Sequence, residues 1–571
     1  MTQNELARAL QDAAGHHNVL TSPSQTRYYR TGFRSGEGAA LAVVFPTSLL
    51  MQWQVLQVCV NAGAIIIMQA ANTGLTEGSS PSGYDYDRPV VIISGKKLNK
   101  LVLLNEGQQV LAFPGTTLFQ LENALKPLKR EPHSVIGSSC IGASVVGGIA
   151  NNSGGALVQR GPAYTELSLY AQVTEQGVLT LVNHLGIELG DSPEEILKNL
   201  ETLPLQKTVP VSEKMASDRE YVQRVRDVNA ETPARFNADP RRLYESSGCA
   251  GKVAVFAVRL DTFDAPQAEQ VFYLGSNDPN VFTNIRRHIL SEFENMPVLG
   301  EYIHKTAFDV ARDYGKDIFL AIEKLGTGAM PKLFAIKGYF TSLLNSVPLI
   351  PNDIPDKFLQ LSSKLFPEHL PNRILEFHEK YEHHLIIKMA GNGIAELKAY
   401  LAGLFEGTLH EGKSLDAAYF ACTEKEASEA MLHRFAVAGA GVRYLQMNHK
   451  TVEDVVALDI ALKRNETQWF ETLPEAISEK ILPPLYYGHF FCHVFHQDYL
   501  VKKGYSAHDV KKELLAYQDT RSAAYPAEHN VGHLYQASEE MQAFYRRLDP
   551  TNTFNSGLGK TSKFKRYGGC C

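Results

Sequence analysis

The sequence predicts an α+β protein of several domains, and three observations carry that prediction. Short β-rich apolar runs alternate with helix-period stretches through about residue 265. A proline-punctuated stretch of helical pattern then interrupts a second region of mixed strand and helix character. Finally, 571 residues at 44% hydrophobic content can fill the cores of more than one domain.

In chain order, Leu41 to Phe45, Ala64 to Met68, Val90 to Ser94 and Val110 to Phe113 read as strands, with Leu49 to Ala62 as a helix between the first two. A second set of apolar strands, Leu167 to Thr174, Leu179 to Asn183 and Val253 to Leu260, is split by a charged helical and loop stretch around 192 to 232. Over 304 to 380, Pro331, Pro348, Pro351, Pro355, Pro367 and Pro371 limit helix length. Tyr381 to Met389 and Met447 to Leu462 return to mixed strand and helix signals, and the final stretch reads as turns and short helices.

Net charge is −6 with a pI near 6.4 and no basic block, which argues against nucleic acid as the partner. Seven cysteines without a C-x-x-C pair fit a reducing compartment, and the Cys570-Cys571 tail reads as an exposed end. Neither a secretory signal nor a membrane-spanning apolar run is evident. Between Glu323 and Asp353, however, Lys324, Lys332 and Lys337 mix with Met330, Leu333, Phe334, Ile336, Tyr339, Phe340, Leu343 and Leu344, with no acid among them. Such a segment either rests on an anionic bilayer surface or packs its apolar face within a soluble helical insertion.

Two glycine-rich stretches dominate the chain: Gln69-Ala-Ala-Asn-Thr-Gly-Leu-Thr-Glu-Gly-Ser79 and Gly137-Ser-Ser-Cys-Ile-Gly-Ala-Ser-Val-Val-Gly-Gly-Ile-Ala-Asn-Asn-Ser-Gly-Gly155. Glycine lets backbone approach a ligand closely, and successive N–H groups in such turns form a nest for anionic oxygens, so the pair suggests a diphosphate cradle. Neither reads G-x-G-x-x-G, and Gly559-Lys560-Thr561 has Phe554 where a phosphate-binding P-loop needs glycine.

The two stretches, with Asp549-Pro-Thr-Asn-Thr-Phe-Asn-Ser-Gly557, resemble FAD domains of the vanillyl-alcohol-oxidase (PCMH) type. Arg130-Glu-Pro-His-Ser-Val-Ile-Gly137, Tyr486-Tyr-Gly-His489 and Pro526-Ala-Glu-His-Asn-Val-Gly-His533 extend the likeness over nearly the whole chain, to the membrane-associated, quinone-dependent D-lactate dehydrogenases of bacterial respiration. The resemblance implies a two-subdomain FAD-binding domain (1–265), an α+β, ferredoxin-like cap (266–303 and 381–519), a helical membrane-binding insertion (304–380) and a C-terminal return to the FAD domain (520–571). It implies D-lactate as substrate, membrane quinone as acceptor and a peripheral location on the cytoplasmic face of the bacterial inner membrane. Ala70, Ala71, Asn72, Thr73, Gly74, Gly78 and Ser79 would cradle the pyrophosphate, Gly137, Ser144 and Gly154 would contact FAD from the second stretch, and Val255 would lie near the adenine. Many relatives attach FAD covalently through a histidine in the first stretch; none is present here, so noncovalent FAD is expected.

Oxidising a 2-hydroxy acid needs a group that takes the hydroxyl proton, a cation for the carboxylate and a flavin that accepts the hydride. Histidine suits the first role, and the strongest cluster is His489-Phe-Phe-Cys-His493-Val-Phe-His496 with Glu528, His529 and His533. On a strand, His489, Cys492 and His493 cannot share one face. Metal-using D-2-hydroxy-acid dehydrogenases of the same superfamily bind a divalent ion through positions like His489, His496 and Glu528, with His529 as base. They carry Gly-Asp-Gly-Asn where this chain has Phe491-Cys492-His493-Val494, so metal stays open; without it, His489 and His496 would hydrogen-bond substrate and Glu528 would tune His529. For the carboxylate, Arg434 ranks ahead of Arg443 and Arg34. The competing readings are a soluble FAD dehydrogenase of another acid such as D-2-hydroxyglutarate, and a non-catalytic FAD protein.

Overall fold

The computed structural model describes residues 1–134, 139, 141–326, 360–361, 363, 366–405 and 415–568. In the first sheet, Ala42–Val44, Val90–Ser94 and Ile65–Gln69 run parallel, with Val19–Leu20 antiparallel at one edge. Parallel strands need both faces covered. Val44, Ile66, Val91 and Ile93 accordingly pack against Leu6, Leu10, Trp53 and Leu56 of the helices Gln3–Ala14 and Leu49–Asn61, while Val43, Ile65, Ile67 and Ile92 form a core on the other side. Ser48 starts the second helix by accepting the Met51 N–H through Oγ at 3.0 Å.

The second sheet runs in the order Gln206–Lys207, Leu101–Leu104, Gln109–Ala112, Ala254–Asp261, Ser168–Val173, Leu179–Asn183, antiparallel except for its first pair. Val102, Leu104, Leu169, Ala171 and Phe256 share a core with the first sheet, which joins the two. The C-terminal segment returns to this unit, because Ile66 N–H donates to Thr553 O and Asn555 N–H to Ile66 O, both at 2.9 Å. Buried Asp549 fixes the turn by accepting the N–H groups of Thr553 at 2.9 Å and Phe554 at 2.8 Å.

The third sheet is wholly antiparallel and orders its seven strands as Ala417–Ala421, Glu269–Ser276, His383–Ala390, Leu299–His304, Leu485–His489, Val494–Lys502, Val452–Ala461. Side chains alternate across it. Phe272, Leu274, Tyr302, Tyr486 and Tyr499 meet helices Pro279–Glu292, Gly393–Phe405 and Ala507–Thr520 on one face. Val271, Tyr273, Ile303, Tyr487 and Leu500 meet Lys305–Tyr314, Lys316–Leu325, Asn372–Lys380 and Glu424–Met447 on the other. Each fully buried side chain of this size contributes about 1.5–3 kcal/mol, and a slip of one position would exchange the side chains fitted to the two helical layers.

Most expected elements appear within a residue or two, with Val90–Ser94 and Leu179–Asn183 as read. Of the segment 304–380, the described helices pack on the cap sheet, whereas Lys332, Lys337 and their apolar neighbours lie outside the described residues, as do Gly137 and the Cys570-Cys571 tail. Among the described residues, no helix is long and apolar enough to cross a membrane.

Candidate active site

Strand Ile65–Gln69 runs directly into the first glycine stretch, whose loop is pinned by side chains. Gln69 Nε2 donates to Tyr29 O at 2.9 Å and Ser79 O at 2.7 Å, Asn72 Nδ2 to Thr31 O at 2.9 Å, and Ser79 Oγ to Asn72 Oδ1 at 2.8 Å. Among the described residues, nothing accepts a hydrogen bond from the backbone N–H of Thr73, Gly74 or Gly78. A Cβ at Gly74, or at Gly142 in the second stretch, would meet no atom within 4 Å. Unpartnered N–H groups beside open space fit the diphosphate of FAD. Of the other expected contacts, Ser144 accepts the Gly147 N–H through Oγ at 3.0 Å and starts the helix Val145–Ala150. Val255 sits at a register shift in its strand, where its carbonyl accepts from Gln52 Nε2 at 3.5 Å.

The segment 528 to 533 joins this cradle to the cap. Asn530 bonds Asn151 of the second stretch through Nδ2, while its Oδ1 accepts from Gly532 N–H at 2.6 Å and from Thr76 Oγ1 of the first stretch at 3.4 Å. His533 N–H donates to Thr76 O at 2.9 Å, and Asn555 Nδ2 ties Gly78 O to Ala250 O at 2.8 and 3.0 Å.

One residue before Asn530, His529 donates from Nδ1 to Asp459 Oδ2 at 3.1 Å, and the same oxygen accepts the Glu528 N–H at 2.5 Å. A carboxylate only accepts, so the neutral His529 carries its proton on Nδ1 and leaves a lone pair on Nε2. Strand register places Asp459 opposite His496 and Glu301 opposite His489, all on the face of the cap sheet that carries Tyr487. His489 and His496 rings meet edge to face at 5.3 Å between centroids. Glu301 receives His489 Nδ1 on Oε1 and Arg434 Nη2 on Oε2, both at 2.7 Å.

Charge explains how this cluster tolerates burial. Burial pushes the Glu301 and Asp459 carboxyls up, but His489 with Arg434 and His529, respectively, overcome it and hold each at about 2. Burial pushes His529 down, and Asp459 more than reverses this, leaving its pKa above the ordinary histidine value. For His496, burial, with His489 and Arg434 nearby, outweighs the pull of Asp459 and holds its pKa well below that value.

Several expected roles change with these contacts. Arg434 is already engaged by Glu301 and lies over the Tyr487 ring at 4.7 Å. Arg443 pairs with Asp317 at 3.0 Å. Arg34 is exposed on the loop closed by the Thr31–Glu37 bridge, near enough for its charge to act on Tyr487, Asp498 and His529. Ser35 Oγ anchors that loop to Glu77 of the first glycine stretch at 2.7 Å. Glu528 makes no hydrogen bond to His529, although its charge helps raise the His529 pKa: its Oε1 is 3.1 Å from Arg235 Nη2 and its Oε2 accepts the Gly155 N–H at 3.1 Å. Gly154 is required there, because a Cβ would stand 1.3 Å from Arg235 Nη1. Glu528 is thereby turned toward Arg235 and Gly155, and among the described residues no group of three His, Cys, Asp or Glu is arranged to hold a metal ion. His493 turns away, with Nδ1 on Lys463 O at 3.0 Å, and His533 binds Gly557 O through Nδ1 at 3.2 Å.

The reading by sequence missed Asp459 and Glu301. Both carried a signal, since each is an acid inside an apolar strand, Val455-Val-Ala-Leu-Asp-Ile-Ala461 and Leu299-Gly-Glu-Tyr-Ile303, where a charge is retained only with a partner.

This architecture is that of FAD-binding proteins with a cap domain. It is similar to p-cresol methylhydroxylase with substrate bound (TM-score 0.59, 13% identity, 98% of this chain and 97% of that one) and to alkyldihydroxyacetonephosphate synthase (0.56, 11%, 97% and 85%). Family models match at residues 40–179, an FAD binding domain, and 271–567, the membrane-binding region of D-lactate dehydrogenase. Among curated relatives, the quinone-dependent D-lactate dehydrogenase of Escherichia coli (strain K12) is 58% identical over 99% of this chain and 97% of its own length. Those of Haemophilus influenzae and Corynebacterium glutamicum are 53% and 40% identical, each over 99% of this chain and over 100% and 98% of their own lengths. The chain belongs to the quinone-dependent D-lactate dehydrogenase family.

Proposed function

We propose that the protein oxidises D-lactate to pyruvate with noncovalently bound FAD and delivers the electrons to a membrane quinone. FAD, when bound, supplies the hydride acceptor. Ala70 to Gly74, Gly78 and Ser79 would hold its pyrophosphate, Gly137, Ser144 and Gly154 would contact it from the second stretch, and Val255 would lie near its adenine. His529 takes the lactate hydroxyl proton on Nε2, and Asp459 stabilises the imidazolium that results. Arg34 is the cation for the substrate carboxylate, because Arg434 is occupied in orienting His489 through Glu301. His489 and His496 hydrogen-bond the substrate oxygens. Glu528 acts as an anchor, holding the segment that carries His529 against Arg235 and Gly155.

The observation that carries this reading is the adjacency of His529 and Asn530: one residue completes a base with Asp459 while the next ties the two glycine stretches together. The family's membrane-binding region supports a peripheral membrane protein, and we assign the contact to an anionic surface on the cytoplasmic face of the inner membrane. Anaerobic addition of D- and L-2-hydroxy acids to the FAD-loaded protein, with and without chelator, tests the proposal. D-lactate should bleach the flavin absorbance with chelator present, and L-lactate should not. Faster bleaching by D-2-hydroxyglutarate, or bleaching that chelator abolishes, would overturn it.

A further inference from the structure

A cavity of about 550 Å³ opens at one end of the cap sheet, bounded by His304, Thr306, Phe470, Leu473, Ile481 and Tyr486 among others. His304 and Tyr486 lie on the face of the sheet opposite Glu301 and His489, so the cavity is distinct from the reacting cluster. Its walls are largely aromatic, aliphatic and proline side chains, the composition of a site for a flat apolar ligand, with a few polar groups to orient it.

His304 is the informative polar group. Its Nδ1 has both a donor and an acceptor in reach, the Thr306 N–H at 3.4 Å and Thr306 Oγ1 at 3.0 Å, so either neutral tautomer is supported. Nε2 lies 4.0 Å from Glu382 Oε2, beyond hydrogen-bond reach. Burial pushes the ring's pKa down to about 4, leaving it neutral. A neutral imidazole of this kind donates to a carbonyl oxygen in one tautomer and accepts from a hydroxyl in the other. Those are the two oxygen states of a quinone and its quinol.

The cavity is also wired to the reacting hairpin. Phe495, the neighbour of His496, stacks on Trp469 at 5.6 Å between centroids with planes 8° apart. Trp469 touches Phe470 at 6.0 Å, and Phe470 meets His304 at 5.1 Å and Tyr486 at 5.5 Å. On its other side, Thr306 opens the helix Lys305–Tyr314, followed in the chain by Lys316–Leu325, where the basic and apolar window between Glu323 and Asp353 begins in the sequence.

We propose that this cavity receives the quinone head group, with His304 Nε2 on one of its oxygens and the prenyl tail leaving by its open side. The proposal rests on the reading of the protein as a D-lactate:quinone oxidoreductase. D-lactate loses two electrons and two protons to become pyruvate. The quinone gains two electrons and, from water at the cavity mouth, two protons to become the quinol; FAD, when bound, would supply the carrier of the electrons between the two sites, and His529 takes the hydroxyl proton of lactate.

The test separates the two half-reactions in FAD-loaded protein. Ser478→Phe and Leu473→Phe fill the cavity from its rim, and His304→Phe removes the nitrogen while keeping the ring contact with Phe470. All three should bleach with D-lactate at the parental rate and be reoxidised by a soluble dye at the parental rate. Reoxidation by a short-chain ubiquinone should slow by about tenfold or more, roughly the factor for losing one apolar pocket or one hydrogen bond. An azido-quinone should label residues 304–306 or 470–486. Parental quinone rates in all three variants, equal losses with dye and quinone, or labelling elsewhere would overturn the proposal. A parent protein that D-lactate fails to bleach would instead defeat the reading beneath it, and photolabelling would still decide the cavity.

Discussion

Replacing Asp459 with Asn tests the base through its partner rather than by deleting it. The carboxylate binds His529 Nδ1 at 3.1 Å and raises its pKa, and it also accepts the Glu528 N–H at 2.5 Å. Only neutral His529 accepts a proton, so in the parent the acid limb of kcat/KM for D-lactate should lie above the ordinary histidine value of about 6.5. In Asp459→Asn the lowering effect of burial, larger than any other single effect on the ring, faces only the weaker pull of Glu528, and the limb should move down below that value. The plateau rate should fall as well, because an imidazolium formed during the reaction loses a charged hydrogen bond worth about 1.5–3 kcal/mol, a factor of about 10 to 150. The assay is kcat/KM with a soluble dye across about pH 5 to 9, in a variant shown to retain its flavin. An unmoved acid limb together with a plateau within about twofold of the parent would refute the assignment of His529.

Arg34→Ala should raise KM for D-lactate by about 10- to 150-fold, the cost of one charge-assisted contact, whereas Arg434→Ala should chiefly lower the thermal midpoint by leaving Oε2 of buried Glu301 without its cation; steady-state kinetics and calorimetry distinguish them. Gly74→Val should leave apoprotein stability intact, since its Cβ meets no protein atom, yet release FAD on gel filtration; Gly532→Ala, with φ 51° and a Cβ 1.8 Å from Thr76 O, should destabilise the fold itself. Glu301 is depressed to about 2, so its contribution to stability is fully present above the unfolded value of about 4.5 and is lost as pH falls toward 2. That contribution is about 3 kcal/mol, and acid unfolding of Glu301→Gln should show a correspondingly shallower dependence over the same range.

The FAD unit was legible because its signals are local. Glycine stretches and aliphatic runs such as Ile65 to Met68 declare a turn or a buried strand without reference to distant residues. The histidines of the cap were legible as candidates, but strand alternation alone would put His489 and His493 on one face; the turn at Phe490–Cys492, with His493 at φ 53°, is what separates them. What the chain concealed was pairing across long separations. Glu301 and His489 become neighbours through strand register, as do Asp459 and His496, and Glu528 turns to Arg235 because a loop from the FAD domain passes there. The choice among arginines likewise depended on which guanidinium the fold had already neutralised. Acids inside apolar strands were the overlooked clue, for a buried carboxylate implies a cation waiting beside it.

The most direct measurement of the central claim is anaerobic rapid mixing of D-lactate with FAD-loaded parent and His529→Ala proteins, following flavin absorbance in a single turnover. If the segment 528 to 533 places the base beside the cradle as described, the variant should retain FAD and its bleaching rate should fall by about 10²- to 10⁴-fold. Bleaching at the parental rate in a flavin-loaded His529→Ala protein would contradict the account.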